Sequence, residues 1–340
     1  MAISTPNTAT KLKLALVVGA VTVFVTTGSV LAHTGPASAH SLLGGSETTL
    51  TGHAGPVSSV AFSPNGRTLA SATENGTVQL WDVHSDSLVG TLTGLVHIID
   101  TVAFSPDGRT VAAGSRGGVV RLWDVQSRRR LGAPLIAHAG SVYSIAFSPN
   151  GRVLAVASAD GAVQLWDTHS HSLLGRLDNH AGAIASVAFS PDGRSLAAAD
   201  ISGTVVLWDL ESRRPLGSPL QTHHLVNSVA YSPGGETLAA ANGDNGTVGL
   251  WDVHTQRLVR TLRLGNSGPV NSVAFAQHTR VLATGSESGT VQLWGLLHDK
   301  LLATLNGGTG PVFSVAFSPD AQTLAAGGFT GTISVWRGIP

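Results

Sequence analysis

The sequence predicts an all-β protein, a seven-bladed β-propeller of four-stranded antiparallel blades. One unit is repeated seven times, and all seven tryptophans, from Trp81 to Trp336, occupy the same place in it at intervals of 42 or 43 residues. Each copy also contains short runs of alternating apolar and polar residues separated by turn residues. A period of roughly 40–45 residues with four short strands per copy is typical of propeller blades.

The first complete copy shows how the four strands of a blade follow from local patterns. Alternation over Val57 to Ser63 predicts the first strand, and Ser63-Pro64-Asn65-Gly66 places Pro and Gly where a tight turn accepts them. The second strand covers Thr68 to Thr73, and the third covers Thr77 to Asp82 after a second turn. Ser87 to Leu92 forms the fourth strand and leads into the next copy.

The two ends of the chain predict how the ring closes. The chain finishes on Val335-Trp336-Arg337, a third strand, so the seventh copy lacks a fourth strand at its C-terminal end. Residues His40 to Gly44 repeat His171 to Gly175, where a fourth strand begins, and Thr48 to Thr51 then lead into the first copy. We therefore expect an N-terminal strand to complete the last blade, which leaves only short protected edges.

The first 39 residues have the pattern of a secretory signal peptide. Lys11 and Lys13 are the only charges before an uncharged run from Leu14 to Ala32, and Ala37-Ser38-Ala39 is a small-x-small cleavage site. The predicted division is a signal peptide over 1–39 and a propeller over 40–340, located outside the cell. The alternative is an uncleaved membrane anchor with the propeller outside, because nineteen apolar residues can just span a bilayer.

Composition narrows the classes of function. The charges of twenty basic and twenty acidic residues cancel, so the chain lacks the excess of basic residues that is typical of nucleic-acid-binding proteins. The absence of cysteine excludes disulfides, thiolate metal sites and a cysteine nucleophile. His84, His169 and His254 share one offset in non-adjacent repeats, too far apart to converge on a zinc ion. The chain is expected to be a monomer without metal or cofactor.

The repeated motifs resemble those of the tryptophan–aspartate (WD) repeat family. The pair Gly52-His53, the Ser-Pro turns and the closing Trp-Asp carry the resemblance, which covers the chain from Glu47 to Pro340. Trp-Asp is literal in five repeats and becomes Trp294-Gly295 and Trp336-Arg337 in the last two. Together with the N-terminal segment, the resemblance suggests a secreted member of bacterial type. It implies a rigid platform that binds other proteins and is not an enzyme.

The resemblance also implies a buried hydrogen-bonded tetrad of His, Ser or Thr, Asp and Trp within a blade. Several repeats have lost members of it; Val156, for example, stands where repeat three should carry the hydroxyl. A catalytic reading of these groups is unfavourable because a catalytic Ser must be exposed beside an oxyanion hole. The residues assigned to this structural role are His53, Ser71, Asn75 and Trp81 in repeat one, His138, Asp160 and Trp166 in repeat three, and His180, Ser202 and Trp208 in repeat four.

Partner contacts in the family lie on the narrow face of the ring, at the loops entering the first strand and the turns between the second and third strands. By that likeness, contact residues stand two and four places before the Val of the Val-Ala-Phe motif and seven before the Trp. These positions differ between repeats while the framework does not, which is typical of a binding surface. They select Ile98, Asp100 and Arg116 from repeat two, Tyr143 from repeat three, Leu225 and Asn227 from repeat five, and Phe313 and Phe329 from repeat seven.

The predicted function is therefore a non-catalytic scaffold for a protein or peptide partner outside the cytoplasm. Phe313 and Phe329 could instead plug the mouth of the channel. The alternative function is a propeller enzyme or carbohydrate-binding protein of the cell envelope. Against it, the carboxylates that do not repeat form no obvious acid and base pair of the kind that glycoside hydrolysis needs.

Overall fold

The computed structural model describes residues 46–137, 140–178, 180–308 and 310–339, apart from the side chain of Asn266. The predicted signal peptide over 1–39, and residues 40–45 of the predicted closing strand, lie outside the described residues. The described chain forms seven antiparallel sheets, and in six of them the strands run in chain order from the innermost strand to the outer rim; in the seventh the outer strand comes from the N-terminal part of the chain. The predicted seven-bladed propeller is confirmed.

The strand boundaries follow the repeat. The innermost strands of blades one to seven are β2 (Val57–Phe62), β6 (Ile99–Phe104), β10 (Val142–Phe147), β14 (Ile184–Phe189), β19 (Val226–Tyr231), β23 (Val270–Phe275) and β27 (Val312–Phe317). The second strands are β3 (Thr68–Thr73), β7 (Thr110–Ser115), β11 (Val153–Ser158), β15 (Ser195–Asp200), β20 (Thr237–Asn242), β24 (Val281–Ser286) and β28 (Thr323–Gly328).

The third strands, which contain the tryptophans, are β4 (Val78–Asp82), β8 (Val119–Asp124), β12 (Ala162–Asp167), β16 (Thr204–Asp209), β21 (Thr247–Asp252), β25 (Thr290–Gly295) and β29 (Ile333–Arg337). The outer strands are β5 (Ser87–Leu92), β9 (Arg130–Ile136), β13 (Leu173–Asp178), the two segments β17 (Arg214–Pro215) and β18 (Leu220–Gln221), β22 (Arg257–Arg263), β26 (Lys300–Asn306) and β1 (Ser46–Leu50). A 3₁₀ turn covers Gly265–Ser267. Within the described ranges, no helix is long and apolar enough to cross a membrane.

Blade seven is completed by the N-terminal strand, as the sequence predicts. Strand β1 pairs antiparallel with β29, so that Ser46 lies opposite Arg337 and Leu50 opposite Ile333. The Arg337 guanidinium also contacts the carboxylate of Asp86 in blade one. The two ends of the chain are thus joined by a strand pair, by a buried leucine and by an ion pair that reaches the next blade.

A ring of side-chain hydroxyls ties the innermost strands together. The third residue of each innermost strand accepts the backbone N–H of the fourth residue in the next blade, at 3.1 to 3.3 Å. The acceptors are Ser59, Thr101, Ser144, Ser186, Ser228, Ser272 and Ser314. The bond from the Val60 N–H to Ser314 closes the circle between blades seven and one. These bonds satisfy N–H groups that face a neighbouring blade and not a strand of their own sheet.

Small side chains in the second strands allow the blades to stack closely. Ala70 and Ala72 of blade one are completely buried, and they share a core with Val111, Ala113 and Trp123 of blade two. Each core therefore lies between two blades, and apolar burial there is the main stabilising term.

Turn chemistry fixes the hairpins. In blade one, the Ser63 hydroxyl donates to Asn65 Oδ1 at 2.7 Å and accepts the Thr68 N–H at 2.9 Å. Gly66 has a φ of 70°, which a residue with a side chain adopts less readily. The Asp82 carboxylate accepts the Ser85 N–H at 2.8 Å and its hydroxyl at the same distance. The Asp of the Trp-Asp motif therefore braces the following turn.

Candidate functional site: the narrow face

Every innermost strand carries a β-bulge at its second residue, beside the loop that enters the strand. In blade one the register shifts between Val57 and Ser59, and the other six blades repeat the shift. A bulge leaves one residue unpaired and re-aims its side chain. The seven bulged residues, which we call the mouth ring, are Ser58, Asp100, Tyr143, Ala185, Asn227, Asn271 and Phe313.

A second set of seven residues follows the second strands. Each donates its backbone N–H to a carbonyl of the loop entering its own blade, at 2.7 to 3.1 Å; the Arg116 N–H, for instance, reaches the Ile98 carbonyl at 2.9 Å. This repeated bond holds the turn against the loop. We call this set the turn ring, and it consists of Glu74, Arg116, Ala159, Ile201, Gly243, Glu287 and Phe329.

Blades one to three contribute a charged arc to these rings. Arg116 Nε donates to both carboxylate oxygens of Asp100, at 3.1 and 3.2 Å. The Asp100 side chain is only 7% exposed, whereas that of Arg116 is 21% exposed. Arg116 Nη2 is buried and bonds to no described residue. The guanidinium is thus held by one carboxylate and keeps one buried donor without a described partner.

The ionisation of the charged arc is displaced from its ordinary range. Burial raises the pKa of Asp100 to about 7, against the opposing charge of Arg116 and with a further contribution from Glu74. Burial also raises the pKa of Glu74, and Arg116 again opposes the shift. Burial raises the pKa of Tyr143, and the charge of Asp100 adds to it. The arc therefore gains negative charge as the pH rises through neutrality.

Blades five and six contribute an arc of amides. Asn227 Nδ2 donates to the Val270 carbonyl at 3.0 Å, and Asn271 Nδ2 donates to Glu287 Oε2 at 3.1 Å. Asn227 and Leu225 lie directly over Gly243, since a Cβ there would come within 2.3 and 2.6 Å of their side chains. Because Gly243 has no side chain, Asn227 and Leu225 pack directly on the backbone of this turn. Both are half-buried at the narrow face.

Blade seven contributes the aromatic part of the face. Phe329 of the turn ring is 39% exposed, although it is a large apolar residue. Its ring lies against Gly310 in the entering loop, about 3.3 Å from where a Cβ would stand. Phe313 of the mouth ring is half-buried. The structure therefore leaves at least one phenyl ring open to solvent on this face.

The residues selected from the sequence all fall in the two rings or in the entering loops beside them. The structure adds Ser58, Glu74, Asn271 and Glu287, which the selection left out. The same spacing rule applied to repeats one and six would have found them. In repeat five the position seven before the Trp is Asp244, but one extra turn residue moves Gly243 into the turn ring.

Three of the four residues assigned in repeat one are joined by hydrogen bonds. His53 Nε2 lies 2.8 Å from the Ser71 hydroxyl, which accepts the Trp81 indole N–H at 2.9 Å. Burial lowers the pKa of His53 to about 4, so this ring is neutral near pH 7. Asn75 does not complete the tetrad, which corrects the sequence-based assignment. Its side-chain oxygen accepts the Thr77 N–H within the turn, and His53 Nδ1 has no described partner.

Repeats four and three, the other repeats with assigned structural residues, depart further from the expected tetrad. In repeat four, His180 Nδ1 lies 3.2 Å from Asp200 Oδ2, both side chains fully buried. Ser202 does not contact His180 but donates to the other oxygen of Asp200 at 2.6 Å, which corrects its expected role. Burial acts to raise the pKa of Asp200, but bonds from His180, Ser202 and Thr204 outweigh it and lower the pKa.

In repeat three, Asp160 pairs with Arg176 at 3.0 Å. The Trp166 indole N–H donates to Gln164 Oε1 at 3.0 Å, because no hydroxyl is present at Val156. His138 lies outside the described residues. The Trp208 indole nitrogen of repeat four is buried without a described partner.

Comparisons with known proteins agree with this architecture. A family model described as IFT122 first beta-propeller matches residues 98–296 and 141–338, and one described as WD domain, G-beta repeat matches residues 44–82. Retinoblastoma-binding-like protein E of Dictyostelium discoideum is 37% identical over 60 residues, 18% of this chain and 11% of that protein. WD-repeat propellers generally act as non-catalytic scaffolds that bind other proteins. The chain belongs to the IFT122 first beta-propeller family of WD-repeat propellers.

Proposed function

We propose that this chain is a non-catalytic scaffold whose narrow face binds a segment of a partner protein. The proposal rests on the contrast between the variable side chains of the two rings and the constant backbone that holds them. The same bulge and the same backbone bond recur in all seven blades, yet the side chains at these positions range from Asp and Arg to Tyr, Asn and Phe. A rigid frame that presents different groups at equivalent points is suited to recognition.

The chemistry of the rings indicates the kind of segment that would fit. Glu74, Asp100 and Glu287 outnumber the single guanidinium of Arg116, so the mouth is acidic above neutral pH. The exposed ring of Phe329 offers an apolar contact on one side. We infer a partner segment that carries an apolar anchor and at least one basic side chain.

The aromatic contact can be tested by removing it. The double change Phe313→Ser and Phe329→Ser should reduce partner capture at least tenfold, because truncating an anchor costs about 2 kcal/mol or more of binding free energy. The measurement is affinity capture from culture fluid, quantified by mass spectrometry against the wild-type chain. The melting temperature should change little, since Phe329 is open to solvent.

Two control variants make this test specific. Leu88→Ser with Val89→Ser removes two exposed apolar residues from the outer strand of blade one, and capture should remain. Trp123→Ala removes a ring that is 1% exposed and should cost about 3–5 kcal/mol of stability. If the double Phe variant is destabilised as much as the Trp variant, the two rings are core residues and the proposed contact is wrong.

We propose that the chain works outside the cytoplasm, as a secreted monomer of bacterial type. The support is the sequence of the first 39 residues, with its uncharged run and Ala37-Ser38-Ala39 site. N-terminal sequencing of protein from the culture fluid should begin at or near His40. A full-length chain retained in the membrane fraction would favour the anchored alternative, and one in the cytoplasm would refute secretion.

A further inference from the structure

Blade five contains a cavity of about 260 Å³, separate from the two rings of the narrow face. It lies between the loop that enters the blade, at Gln221 to His224, and strands β21 and β22. Trp251 and Leu258 form part of its wall, and Asn242 lies at its side. This volume suits a small molecule and is below the ~300–1,000 Å³ of typical drug-sized pockets.

The cavity exists because three side chains that fill this space in blade one are smaller in blade five. In blade one, His53 reaches Ser71, and Gln79 reaches back to the Gly52 carbonyl at 3.2 Å. Alignment of the innermost strands places Thr222 and Ala240 at the positions of His53 and Ser71, and Gly249 lies opposite Ala240 as Gln79 lies opposite Ser71. Thr222 does not fill the gap, because its hydroxyl is turned toward the Gly203 carbonyl of blade four, at 2.9 Å, and the His224 carbonyl of the loop, at 2.6 Å.

Two buried polar atoms on the cavity wall have no partner among the described residues. They are the indole Nε1 of Trp251, which is a donor, and Oδ1 of Asn242, which is an acceptor. The two residues are 8% and 5% exposed. An unmatched buried donor or acceptor destabilises the fold, so a ligand that pairs with both atoms would recover that free energy.

A chain of hydrogen bonds determines which way the Asn242 amide points. The Thr247 hydroxyl donates to Asn245 Oδ1 at 2.7 Å, so it must accept from its other neighbour. That neighbour is Asn242 Nδ2, also at 2.7 Å. Asn242 Nδ2 is therefore bonded to Thr247, and Asn242 Oδ1 is the atom that remains to accept a hydrogen bond from a ligand.

Blade three shows which chemical group satisfies this tryptophan. There the Trp166 indole N–H donates to the carboxamide oxygen of Gln164 at 3.0 Å. Gln164 aligns with Gly249, where the side chain is missing. A Cβ at Gly249 would come within 2.9 Å of Trp251 Nε1, so the indole nitrogen packs directly over the glycine, in the space that a side chain would take.

We propose that the blade-five cavity binds a small ligand through a carboxamide, whose oxygen accepts the Trp251 indole N–H and whose N–H donates to Asn242 Oδ1. The Arg263 guanidinium lines the cavity, is exposed, and makes no ion pair with a described residue. It would match a carboxylate on the same ligand. The ligand class is therefore a small amide that also bears a carboxylate, of which free L-glutamine is the simplest probe.

The test follows the seven tryptophan indole N–H signals of the ¹⁵N-labelled full chain by NMR during titration with L-glutamine. We expect a saturable shift of the Trp251 signal, identified with Trp251→Phe, and smaller changes at the other six. L-Glutamate should bind at least tenfold more weakly, because an ionised carboxylate offers no N–H to Asn242. Equal affinity for both amino acids would show that Asn242 Oδ1 does not select the amide, and no shift at any concentration would show that the cavity does not bind such a ligand. Either result overturns the proposal.

Two variants separate binding from folding. Gly249→Gln supplies the carboxamide from the chain itself, as in blade three, and should abolish the titration. Asn242→Ser installs the residue that blades two, three and six carry at this position, and should weaken binding at least tenfold with little change in melting temperature. If Gly249→Gln does not fold, Asn242→Ser decides the question alone. Unchanged affinity in Asn242→Ser refutes the proposed contact. Phe313 and Phe329 do not line this cavity, so the outcome of the partner-capture test does not change the outcome of the glutamine titration.

Discussion

At the scale of single residues, one position of the repeat can serve different purposes in different blades. Asp82 closes the Trp-Asp motif of blade one and braces the turn that follows it. Arg337 stands at the same place in blade seven. Its guanidinium instead donates to the Val83 carbonyl at 2.7 Å and pairs with Asp86. The departure from the motif therefore strengthens closure of the ring.

The raised pKa of Asp100 leads to a prediction at this scale. A carboxyl whose pKa is about 7 in the folded chain, against 3.8 ordinarily, favours folding below about pH 4 and loses that contribution as the pH rises through 7. Asp100→Asn removes the titration. Between pH 4 and 7 the free energy of unfolding of the wild type should fall relative to the variant, by up to about 1.4 kcal/mol per pH unit.

Urea unfolding of both chains at several pH values from 4 to 8 measures this difference. Asp192→Asn is the matched control, because a bond from Ser190 lowers the pKa of Asp192 and moves its titration below this window. Parallel stability curves for the wild type and Asp100→Asn between pH 5 and 7 would contradict the assigned shift.

At the scale of elements, the innermost strands are held by side chains and not by a shared sheet. Adjacent innermost strands belong to different sheets, so their backbones do not pair. The hydroxyl ring supplies one bond per junction. The sequence contains its signature, a Ser or Thr before each Val or Ile of the motif, but the spacing alone does not say where the hydroxyl points.

Ser186 offers a clean test of this ring. Its hydroxyl accepts the Val229 N–H at 3.1 Å in a buried position. Ser186→Ala should lower the free energy of unfolding by about 1–3 kcal/mol, because it leaves a buried N–H unpaired. Ser186→Thr should be close to neutral, since Thr101 plays this part in blade two. Equal stability of the Ala and Thr variants by chemical denaturation would show that the bond is dispensable.

At the scale of the whole molecule, closure depends on residues from both ends of the chain. Strand β1 covers the outer side of β29, and Leu50 is buried in the core shared by blades seven and one. Without β1, the third strand of blade seven would present unpaired backbone groups. Stability of the ring is therefore coupled to its N-terminal strand.

Truncation tests this coupling. A chain beginning at residue 52 should aggregate or be cleaved by protease within blade seven, whereas one beginning at residue 46 retains β1 and should remain monomeric. Size-exclusion chromatography and limited proteolysis with mass spectrometry distinguish them. A shorter chain that is monomeric and melts at the same temperature would mean that β1 does not hold the ring closed.

The number of blades, the order of strands and the closure by an N-terminal strand were all predictable from the sequence. These features follow from the alternation of apolar and polar residues, from turn residues and from the repeat period. Each can be recognised within one copy of the repeat or by comparing copies. The selection of Asp100, Arg116 and Phe329 came from the likeness to the WD-repeat family, and the repeat period carried it from blade to blade, because equivalent positions in a closed ring occupy equivalent places.

The contacts between particular side chains were decided only in the tertiary structure. The spacing of the repeat could not show that His180 meets Asp200 and not Ser202, or that Asn75 turns away from His53. Nor could it show the cavity that Gly249 leaves beside Trp251. The physical reason is that a repeat period determines where backbones lie, whereas a hydrogen bond depends on rotamers and on neighbouring volume within a few tenths of an ångström.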